Sequence, residues 1–524
     1  MSDTRYRNNL IVGLVLFLGF IVVGVAFRFL LYPSLQADLV SGTGSESQYE
    51  HVVTLNLDSF SGYAALRAPA FDDNLRSRGI KVNRVDDAAD YGARLKALKR
   101  GKAEFAVFTI DALLKASADL GDTPATVVAV IDETAGADAI VAYKDAVPDL
   151  RALDDASAQL VLTEASPSEF LGRVAIAEFG LSQLPTRWDG QDGAEAVYKK
   201  MKSAKRTDKR AYVLWEPFKS KALQDPDVHV LFDSSRLSGY IVDVLVVQRA
   251  YLLEHPEVVQ HVVEAYLQTQ YQYGRSSSSL EALVRDDARR TGAPLDEAQA
   301  RSIVAGIRWR NTLENYAHFG QVDRRQAGGL LHLEDSIANI TSVLQRTGAL
   351  SSDPLGGEPS RLFYDGTLRA LRDGDFHPGN GLGVVDGALG TAELDAVRVQ
   401  SAVSLSQSEW DALTPVGTMQ VKPLSFGRGG ARLNVQSKRE LDSLARRLQA
   451  LPNLYLTIEG RSRSDGDPEA NRVLAEQRAG AALLYLSERG VSTRRMRTHT
   501  ASPGETGATG ASQSVAFVLS QQPY

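Results

Sequence analysis

The stretch that most constrains the fold is the apolar run Gly239–Val247, which is interrupted only by Asp243. It follows two other strand-like runs in the same region, Ala211–Trp215 and Val228–Phe232. Apolar runs of this length, bounded by turn residues, predict strands that are buried on both faces. An acid inside such a strand is costly to bury unless another group satisfies it. The region therefore predicts a cleft, or a strand that crosses between two units, with Asp243 beside it.

Length and composition limit the classes of protein to consider. A chain of 524 residues has room for two or three domains. Its hydrophobic content of 44% and charged content of 23% are typical of globular proteins. The net charge of −6 gives no basic footprint, so we predict no nucleic-acid partner. The chain has no cysteine, which excludes disulfides, thiolate metal sites and cysteine nucleophiles.

The N-terminal region predicts a membrane anchor. Leu10–Phe27 is an uninterrupted apolar run of 18 residues. A helix of that length covers about 27 Å, and Phe29–Tyr32 extends it across a bilayer core. Arg5 and Arg7 precede the run, so the positive-inside rule places the N-terminus in the cytoplasm. A cleaved signal peptide is the alternative, although the run is long for one and no clear A-x-A site follows. We predict a single-pass anchor in the inner (cytoplasmic) membrane, with most of the chain in the periplasm.

Three motifs follow one another along the first two thirds of the chain. They are Gly136–Val141 (GADAIV), Trp215–Pro217 (WEP) and Asp243–Leu245 (DVL). In this order they resemble the periplasmic solute-binding proteins of ABC importers, in the branch of the nitrate, aliphatic-sulfonate and thiamine-pyrimidine binders. The resemblance covers roughly Val52–Leu350. It implies a two-lobed α/β fold of the type II kind, whose lobes close on a small solute.

The resemblance also implies where that solute would lie, in the loops after the strands and at the crossings between the lobes. Polar and aromatic residues at those places are the ligand-binding candidates: Ser59, Ser61, Tyr63, Thr109, Asp111, Asp138, Ser166, Ser168, Trp215, Glu216 and Asp243. Several have structural alternatives. Ser61 and Asp111 are equally suited to cap helices, and Ser166 with Glu169 has the spacing of a capping box. The N-terminus of the helix that follows Ser166 would also attract an anion. Trp215 is either a ring that stacks against the solute or a part of the hydrophobic core. These residues fit a polar or zwitterionic solute as well as an anion.

A different motif occupies the C-terminal part of the chain, after a helix that we predict to begin with a capping box at Ser437–Glu440. Its members keep a fixed spacing: Gly460, Gly466, Asn471, Leu474, Arg478 and Ala479. The array resembles the peptidoglycan-binding C-terminal domain of outer-membrane protein A and its relatives, a small α+β domain. The resemblance implies contact with the wall peptide through Arg463, Asn471 and Arg478. Arg463 stands where the family has an Asp that pairs with an ammonium group. Two cations would repel that group and would suit a carboxylate instead, so we do not expect the standard ligand.

No motif in the chain predicts an enzyme. We find no G-x-x-x-x-G-K-[ST], no H-E-x-x-H and no G-x-S-x-G. His255 and His261 are six residues apart, the wrong spacing for two ligands on one helical face. Some relatives of the binding domain make the thiamine pyrimidine with a Cys-rich segment, which this chain lacks. We therefore predict no catalytic residues, no metal and no cofactor.

These inferences give a predicted domain order and function. The predicted segments are a cytoplasmic N-terminus at 1–9, an anchor at 10–32, a linker at 33–50, a solute-binding domain at 51–350 (lobe 1 at 51–140 and 245–350, lobe 2 at 141–244), a linker with local structure at 351–420, and an outer-membrane protein A-like domain at 421–524. The predicted function is capture of a small polar solute and contact with peptidoglycan or another envelope protein, for sensing or tethering. The alternatives are a structural envelope protein with degenerate ligand sites, and the binding component of an ABC importer with a permease partner.

Overall fold

The computed structural model describes most of the chain beyond the predicted anchor. The described residues are 49–322, 329–379, 404–427, 429–461, 466–501 and 515–524. The predicted anchor at 10–32 and Arg463 lie outside these ranges. Within the described part of the chain, no helix is both long and apolar enough to cross a membrane.

Fifteen strands occur among the described residues, and they form three sheets. In chain order they are β1 (His51–Leu57), β2 (Ile80–Asp86), β3 (Phe105–Thr109), β4 (Ala125–Thr134), β5 (Asp138–Tyr143), β6 (Gln159–Leu162), β7 (Asp189–Gly190), β8 (Arg210–Trp215), β9 (Val228–Asp233), β10 (Val242–Gln248), β11 (Ile307–Trp309), β12 (Thr414–Thr418), β13 (Tyr455–Arg461), β14 (Met496–Ala501) and β15 (Val515–Gln521).

Sixteen α-helices lie in the same described ranges and cover the sheets. In chain order they are α1 (Pro69–Arg76), α2 (Tyr91–Lys99), α3 (Ile110–Leu120), α4 (Pro167–Phe179), α5 (Gly193–Ser203), α6 (Phe218–Ala222), α7 (Arg249–Glu254), α8 (Pro256–Gly274), α9 (Ser277–Arg290), α10 (Glu297–Gly306), α11 (Thr312–His318), α12 (Leu333–Arg346), α13 (Gly366–Asp373), α14 (Gln407–Asp411), α15 (Val435–Gln449) and α16 (Pro468–Glu488). A 3₁₀ helix, Ser61–Arg67, follows β1.

Lobe 1 is built on a six-stranded sheet with the order β11-β4-β10-β3-β1-β2. β1 is parallel to β2 and β3, whereas β10 runs antiparallel between β3 and β4. Every residue of β3 and β4 is buried. The position of β10 in the middle of this sheet explains why its sequence is apolar on both faces. The strand predicted from the run Gly239–Val247 is confirmed as Val242–Gln248.

Lobe 2 is built on a five-stranded sheet with the order β7-β6-β8-β5-β9. The chain enters lobe 2 between β4 and β5 and returns to lobe 1 between β9 and β10. The backbone N–H of Gly136 on the first crossing donates to Ser234 Oγ on the second at 2.8 Å, so the two crossings lie side by side. Residues 138–140 pair within lobe 2 and residues 242–244 within lobe 1, so each predicted lobe boundary falls a few residues late.

The segment 351–420 was predicted to be a linker with local structure, and part of it packs on lobe 1. The backbone N–H of Tyr364 donates to the carbonyl of Val127 at 2.9 Å. Phe363 packs edge-on against Phe319, with 5.5 Å between the ring centroids. Helix α13 follows and buries Leu368 against the same lobe. The apolar residues of this segment make it an extension of lobe 1.

The C-terminal domain is a four-stranded sheet with the order β12-β15-β13-β14, packed against α16 and, beyond it, α15. β12 pairs antiparallel with β15, so this sheet begins before the predicted boundary at residue 421. A Cβ on Gly460 would lie 2.2 Å from the carbonyl oxygen of Ala475, so the close packing of α16 on β13 requires glycine there. The capping box predicted at Ser437 is wrong: α15 begins earlier, and Asn434 caps it by accepting from the Ser437 N–H.

The C-terminal domain packs against the second crossing of the two-lobed domain. The backbone N–H of Ser238 donates to the carbonyl of Ala450 at 2.9 Å. Asn453 Nδ2 donates to the carbonyl of Ser235 at 2.8 Å. Both acceptor–donor pairs use backbone groups of the crossing itself, so the C-terminal domain is held on the segment that joins the lobes.

A buried acid reinforces this junction. Glu178, near the end of α4 in lobe 2, is 0% exposed. One of its carboxylate oxygens pairs with Arg346 at the end of α12, and the other with Arg447 of α15 at 2.7 Å. A buried carboxylate with two guanidinium partners is satisfied, so this group links lobe 2, lobe 1 and the C-terminal domain.

Candidate functional site

A cavity of about 680 Å³ lies between the two lobes. Lobe 1 supplies the loop after β1, the start of α2, the end of β3 and the start of β10. Lobe 2 supplies the start of β5, the loop before α4, the start of α5 and the turn after β8. The segment from α9 to β11 closes a third side with mainly apolar residues: Ala288, Ala293, Leu295, Ile303 and Ile307.

The cavity gathers nine of the eleven residues that we predicted to bind a ligand: Ser59, Ser61, Tyr63, Thr109, Asp138, Ser166, Trp215, Glu216 and Asp243. The other two lie elsewhere. Ser168 is 0% exposed inside α4 and does not line the cavity. Asp111 lies on α3 and faces a neighbouring chamber of about 530 Å³, which Lys115 and Arg173 also line.

Neither Asp111 nor Ser61 caps a helix. The N-cap position of α3 is Thr109, and no side chain there accepts a hydrogen bond from the first turn. Asp111 is instead buried in that turn, and burial raises the pKa of its carboxyl group to about 7. Ser61 is the first residue of its 3₁₀ helix, after an N-cap residue with no side-chain cap. The capping alternatives for these two residues were therefore wrong.

The capping box predicted at Ser166 is also wrong, although Ser166 does occupy the N-cap of α4. Its hydroxyl donates backwards to the carbonyl of Thr163 at 2.6 Å. The Glu169 carboxylate accepts from the N–H of Ala165 at 2.7 Å and pairs with Arg173 at 2.6 Å. A carboxylate of the protein thus already lies at the positive end of this helix.

On lobe 1, Asp243 lies at the centre of a small acidic cluster. It is 1% exposed, and Tyr63 donates its hydroxyl hydrogen to Asp243 Oδ1. Asp132 is its register partner on β4 and is 0% exposed. Burial, and then the charge of Asp132, raises the pKa of Asp243 well above the usual range. Burial also raises the pKa of Asp132, to about 7, so both carboxyl groups of this pair bind a proton more readily than an exposed carboxyl group does.

On lobe 2, Asp138 is the first residue of β5 and lines the opposite side of the cavity. It is 4% exposed. Burial raises its pKa to about 7, against the lowering effects of the Thr134 hydroxyl and the charge of Lys219. The cavity therefore has a buried, titratable carboxyl group on each lobe.

Sequence reasoning missed an aromatic and ionic cluster beside the first loop. Arg94 is 0% exposed and pairs with Asp58 at 3.0 Å and with Asp87. Its guanidinium lies over the rings of Tyr91 and Phe108, at 4.9 Å and 5.5 Å from their centroids. Asp58 and Tyr91 both line the cavity. The position of Asp58 directly after a buried parallel strand was a usable signal, because ligands bind at that edge of α/β sheets.

The charges that line the cavity have one sign. Six described residues of the lining carry carboxyl groups: Asp58, Asp138, Glu164, Asp192, Glu216 and Asp243. No lysine, arginine or histidine is among the described residues that line it. Glu164 and Asp192 are exposed at its rim. The nearby Lys219 approaches Glu216 at 3.9 Å and donates to the carbonyl of Gly136.

The motif residues of the C-terminal domain lie around the end of β13 and along α16. Arg478 is 7% exposed, donates to the carbonyl of Gly430 at 3.1 Å, and lies 5.0 Å from the ring centroid of Phe426. Asn471 is in the first turn of α16. Arg463 lies outside the described residues, so the predicted pair of cations stays a prediction.

Comparison with known proteins identifies this domain. Residues 425–516 match the OmpA family. The peptidoglycan-associated lipoprotein of Brucella melitensis is 36% identical over 73 residues, which are 14% of this chain and 44% of that protein. The peptidoglycan-associated lipoprotein of Rhizobium meliloti is 37% identical over 73 residues, 14% of this chain and 42% of that protein. The chain thus spans less than half the length of these curated relatives.

Solved structures similar to the two-lobed part are periplasmic binding proteins. The alkanesulfonate-binding protein SsuA from Xanthomonas axonopodis pv. citri, bound to MOPS, is 15% identical with a TM-score of 0.45, covering 60% of this chain and 99% of that one. The nitrate-binding protein NrtA from Synechocystis is 12% identical with a TM-score of 0.44, covering 62% of this chain and 88% of that one. The two-lobed assignment rests on the strand order and the two crossings. The chain therefore combines a two-lobed α/β domain with a C-terminal domain that matches the OmpA family.

Proposed function

We propose that this protein is an envelope receptor that captures a small polar solute between its lobes and contacts the cell wall through its C-terminal domain. The observation that carries the proposal is the cavity of about 680 Å³, placed between two sheets that are joined by two adjacent crossings. Cavities of roughly 300–1,000 Å³ are the size of small-molecule sites. We propose that the cleft binds its solute without catalysis.

A thermal-shift screen of the full chain tests solute capture. The panel covers inorganic anions, sulfonates, amino acids, amines and pyrimidines. A ligand present at about 100 times its dissociation constant should stabilise the protein by about 2.7 kcal/mol and raise its melting temperature. Silence across the whole panel would favour a structural envelope protein. If a solute binds and its uptake into cells also requires a permease, the result would favour the binding component of an ABC importer.

The wall contact is supported by the OmpA family match and by relatives named peptidoglycan-associated lipoproteins. We propose that Arg463 weakens it, because the family has an acid at this place. The substitution Arg463→Asp should therefore increase the fraction of full-length protein that sediments with isolated peptidoglycan. Arg494→Asp is the matched control, because Arg494 is exposed next to the start of β14, at the opposite end of the sheet from the motif. Equal sedimentation of wild type and Arg463→Asp would contradict the proposal.

We propose that the apolar run Leu10–Phe27 anchors the protein in the inner membrane, with residues beyond it in the periplasm. The lack of cysteine allows a direct test with a single introduced thiol. Ser277→Cys places a thiol at an exposed position at the start of α9. A membrane-impermeant maleimide should label it in intact spheroplasts. Labelling only after lysis would contradict a periplasmic location.

A further inference from the structure

We infer that the cleft between the lobes binds a small organic cation, a molecule with an ammonium group and a hydrocarbon body. The inference rests on the proposed function, since it names the class of solute that the cleft would capture. Three features of the cavity support it: the sign of its charges, the burial of two of its carboxyl groups without an ion pair in the described residues, and its aromatic and apolar surface.

The sign of the charge argues against an anion. Six carboxyl groups line the cavity, while the described lining holds no basic side chain. Arg94, just behind the lining, is already shared between Asp58 and Asp87. An anionic solute would enter a site that repels it at physiological pH, whereas a cation would be attracted.

The helix end that faces the cavity does not reverse this preference. Helix α4 begins at the cavity wall, and a free helix N-terminus would attract an anion. Here Pro167 occupies the first helical position and has no N–H to offer. The Glu169 carboxylate has taken the N–H of Ala165, and Glu164 lies beside it on the cavity rim. The positive end of the helix is therefore already neutralised by the protein.

Two buried carboxyl groups of the lining form no ion pair within the described residues. Asp243 on lobe 1 is 1% exposed and Asp138 on lobe 2 is 4% exposed, and both line the cavity. Tyr63 gives Asp243 a hydroxyl hydrogen, but neither acid forms an ion pair within the described residues. Buried carboxylates are normally paired with a cation because desolvation is costly. A cationic solute between the lobes would supply the missing partner for both.

The remaining surface favours an organic cation over a metal ion. Phe60, Tyr91 and Trp215 contribute aromatic rings to the lining, and aromatic faces attract ammonium groups. Leu295 and Ile303 add apolar surface that suits a hydrocarbon body. The described residues hold no group of three or more His, Cys, Asp or Glu placed to bind a metal ion.

The charges on the two lobes also connect solute binding with closure of the cleft. Asp243 belongs to lobe 1 and Asp138 to lobe 2, so moving the lobes together brings like charges closer when both are ionised. A cation between them turns this repulsion into attraction on both sides. The closed form should therefore be favoured by cationic solutes and disfavoured by anionic ones.

The test is isothermal titration of the full chain at pH 8. The cationic probes are tetramethylammonium and putrescine, and the matched probes are methanesulfonate, nitrate and glycine. We expect saturable binding of at least one cation and none of the anions. The substitutions Asp138→Asn and Asp243→Asn should each weaken cation binding at least about tenfold, since each removes a buried partner of the charge. Asp73→Asn is the control, because Asp73 is exposed on α1 and makes the same chemical change away from the cavity.

The outcomes separate this inference from the proposed function. Cation binding that Asp138→Asn or Trp215→Leu weakens and Asp73→Asn leaves unchanged supports it. Binding of an anion or of glycine that Trp215→Leu abolishes would overturn the cationic class while keeping a working receptor. Cation binding that none of the cavity substitutions alters would overturn the site. A lack of binding by every probe, with a silent thermal-shift screen, would overturn both proposals. Thermal melts of Asp138→Asn and Trp215→Leu identify any variant that fails to fold, and either variant alone is sufficient.

Discussion

The buried acids of this protein fall into two groups that the fold treats differently. Glu178, at the junction with the C-terminal domain, is paired with two arginines. Glu133, in lobe 1, is 1% exposed and pairs with the equally buried Arg310. Asp138 and Asp243, at the cavity, are buried just as deeply but have no cationic partner in the described residues. Glu178 and Glu133 are paired with arginines, whereas Asp138 and Asp243 form no ion pair within the described residues.

The presence or absence of an arginine partner distinguishes acids that stabilise the fold from acids that are candidates for binding a solute. A buried ion pair satisfies both charges, so it costs little once formed and holds its elements in register. A buried acid without a partner must keep its proton or lower the stability of the fold. Such groups persist where a ligand completes them, and this is why the cavity rather than the junction is the candidate site.

The largest effect should come from turning a paired acid into an unpaired one. Arg310→Met removes the partner of Glu133 and, at 3.5 Å, of Glu314. We expect a loss of about 3–5 kcal/mol, because the buried carboxylate of Glu133 would lose its arginine partner. Chemical denaturation of the full chain measures it. Arg301→Met is the control, since Arg301 is 70% exposed and should change stability by less than about 0.5 kcal/mol. A small effect of Arg310→Met would contradict the proposed difference between the buried acids that have an arginine partner and those that have none.

A change of pH should affect the buried carboxyl groups that form no ion pair within the described residues, which include Asp132 beside Asp243. The folded-state pKa values of Asp132 and Asp138 are raised by burial to about 7 from 3.8. Protonation therefore stabilises the folded state, and this contribution is complete below about pH 4 and lost as the pH rises to about 7. Asp132 and Asp138 should each lower the stability of the solute-free protein by about 2–3 kcal/mol between pH 5 and pH 8, at about 1.4 kcal/mol per unit of pKa shift. Buried His318, whose pKa burial lowers to about 3, acts in the opposite direction and offsets part of this loss. Thermal melts across this range measure it.

The change of stability with pH also depends on the charged and polar groups that surround these carboxyl groups. Around Asp243 and Asp132 they are Tyr63, Asp58, Tyr266, Glu133 and Arg310, and around Asp138 they are Thr134, Lys219, Asp233 and Glu216. A saturating cation should reduce the loss of stability, because it favours the ionised carboxylates. Melting temperatures that stay level or rise between pH 5 and pH 8 would contradict the assignment.

The smallest effect should come from neutralising an unpaired acid. Asp138→Asn keeps the shape of the side chain and removes its charge, so the solute-free protein should gain about 1 kcal/mol at pH 8 and nothing at pH 5. Asp73→Asn should change neither value, because Asp73 is 65% exposed. A stabilised variant that no longer binds its solute is the expected sign of a functional site. Destabilisation at pH 8 would mean that the charge of Asp138 is already compensated in the solute-free protein.

Much of the fold was predictable because its signals are local. The apolar runs around Asp243 predicted the buried strands of both sheets, and the spacing from Gly460 to Ala479 predicted the OmpA family domain. Nine cavity residues were found because they follow strands or stand at the crossings. These positions are fixed by the order of elements along the chain, which sequence patterns report directly.

The parts that failed depend on side-chain contacts that spacing along the sequence does not determine. Ser166 and Glu169 have the spacing of a capping box, but Thr163 and Ala165 compete for their side chains. The apolar wall from α9 to β11 carries no motif, since its residues acquire a role only where the helices meet the cavity. Arg94 was missed for the same reason: its partners are Asp58, far along the chain, and two aromatic rings.

The crossing at Ser234–Ile241 serves two purposes at once, because it joins the lobes and carries the C-terminal domain. Lobe 2 and the C-terminal domain therefore both attach to this segment. A rotation of lobe 2 about the segment would also change the orientation of the C-terminal domain. If the C-terminal domain is bound to the cell wall, as we propose, bending of this segment also strains that attachment. In the proposed function, solute binding between the lobes and attachment of the C-terminal domain therefore act on the same segment, Ser234–Ile241.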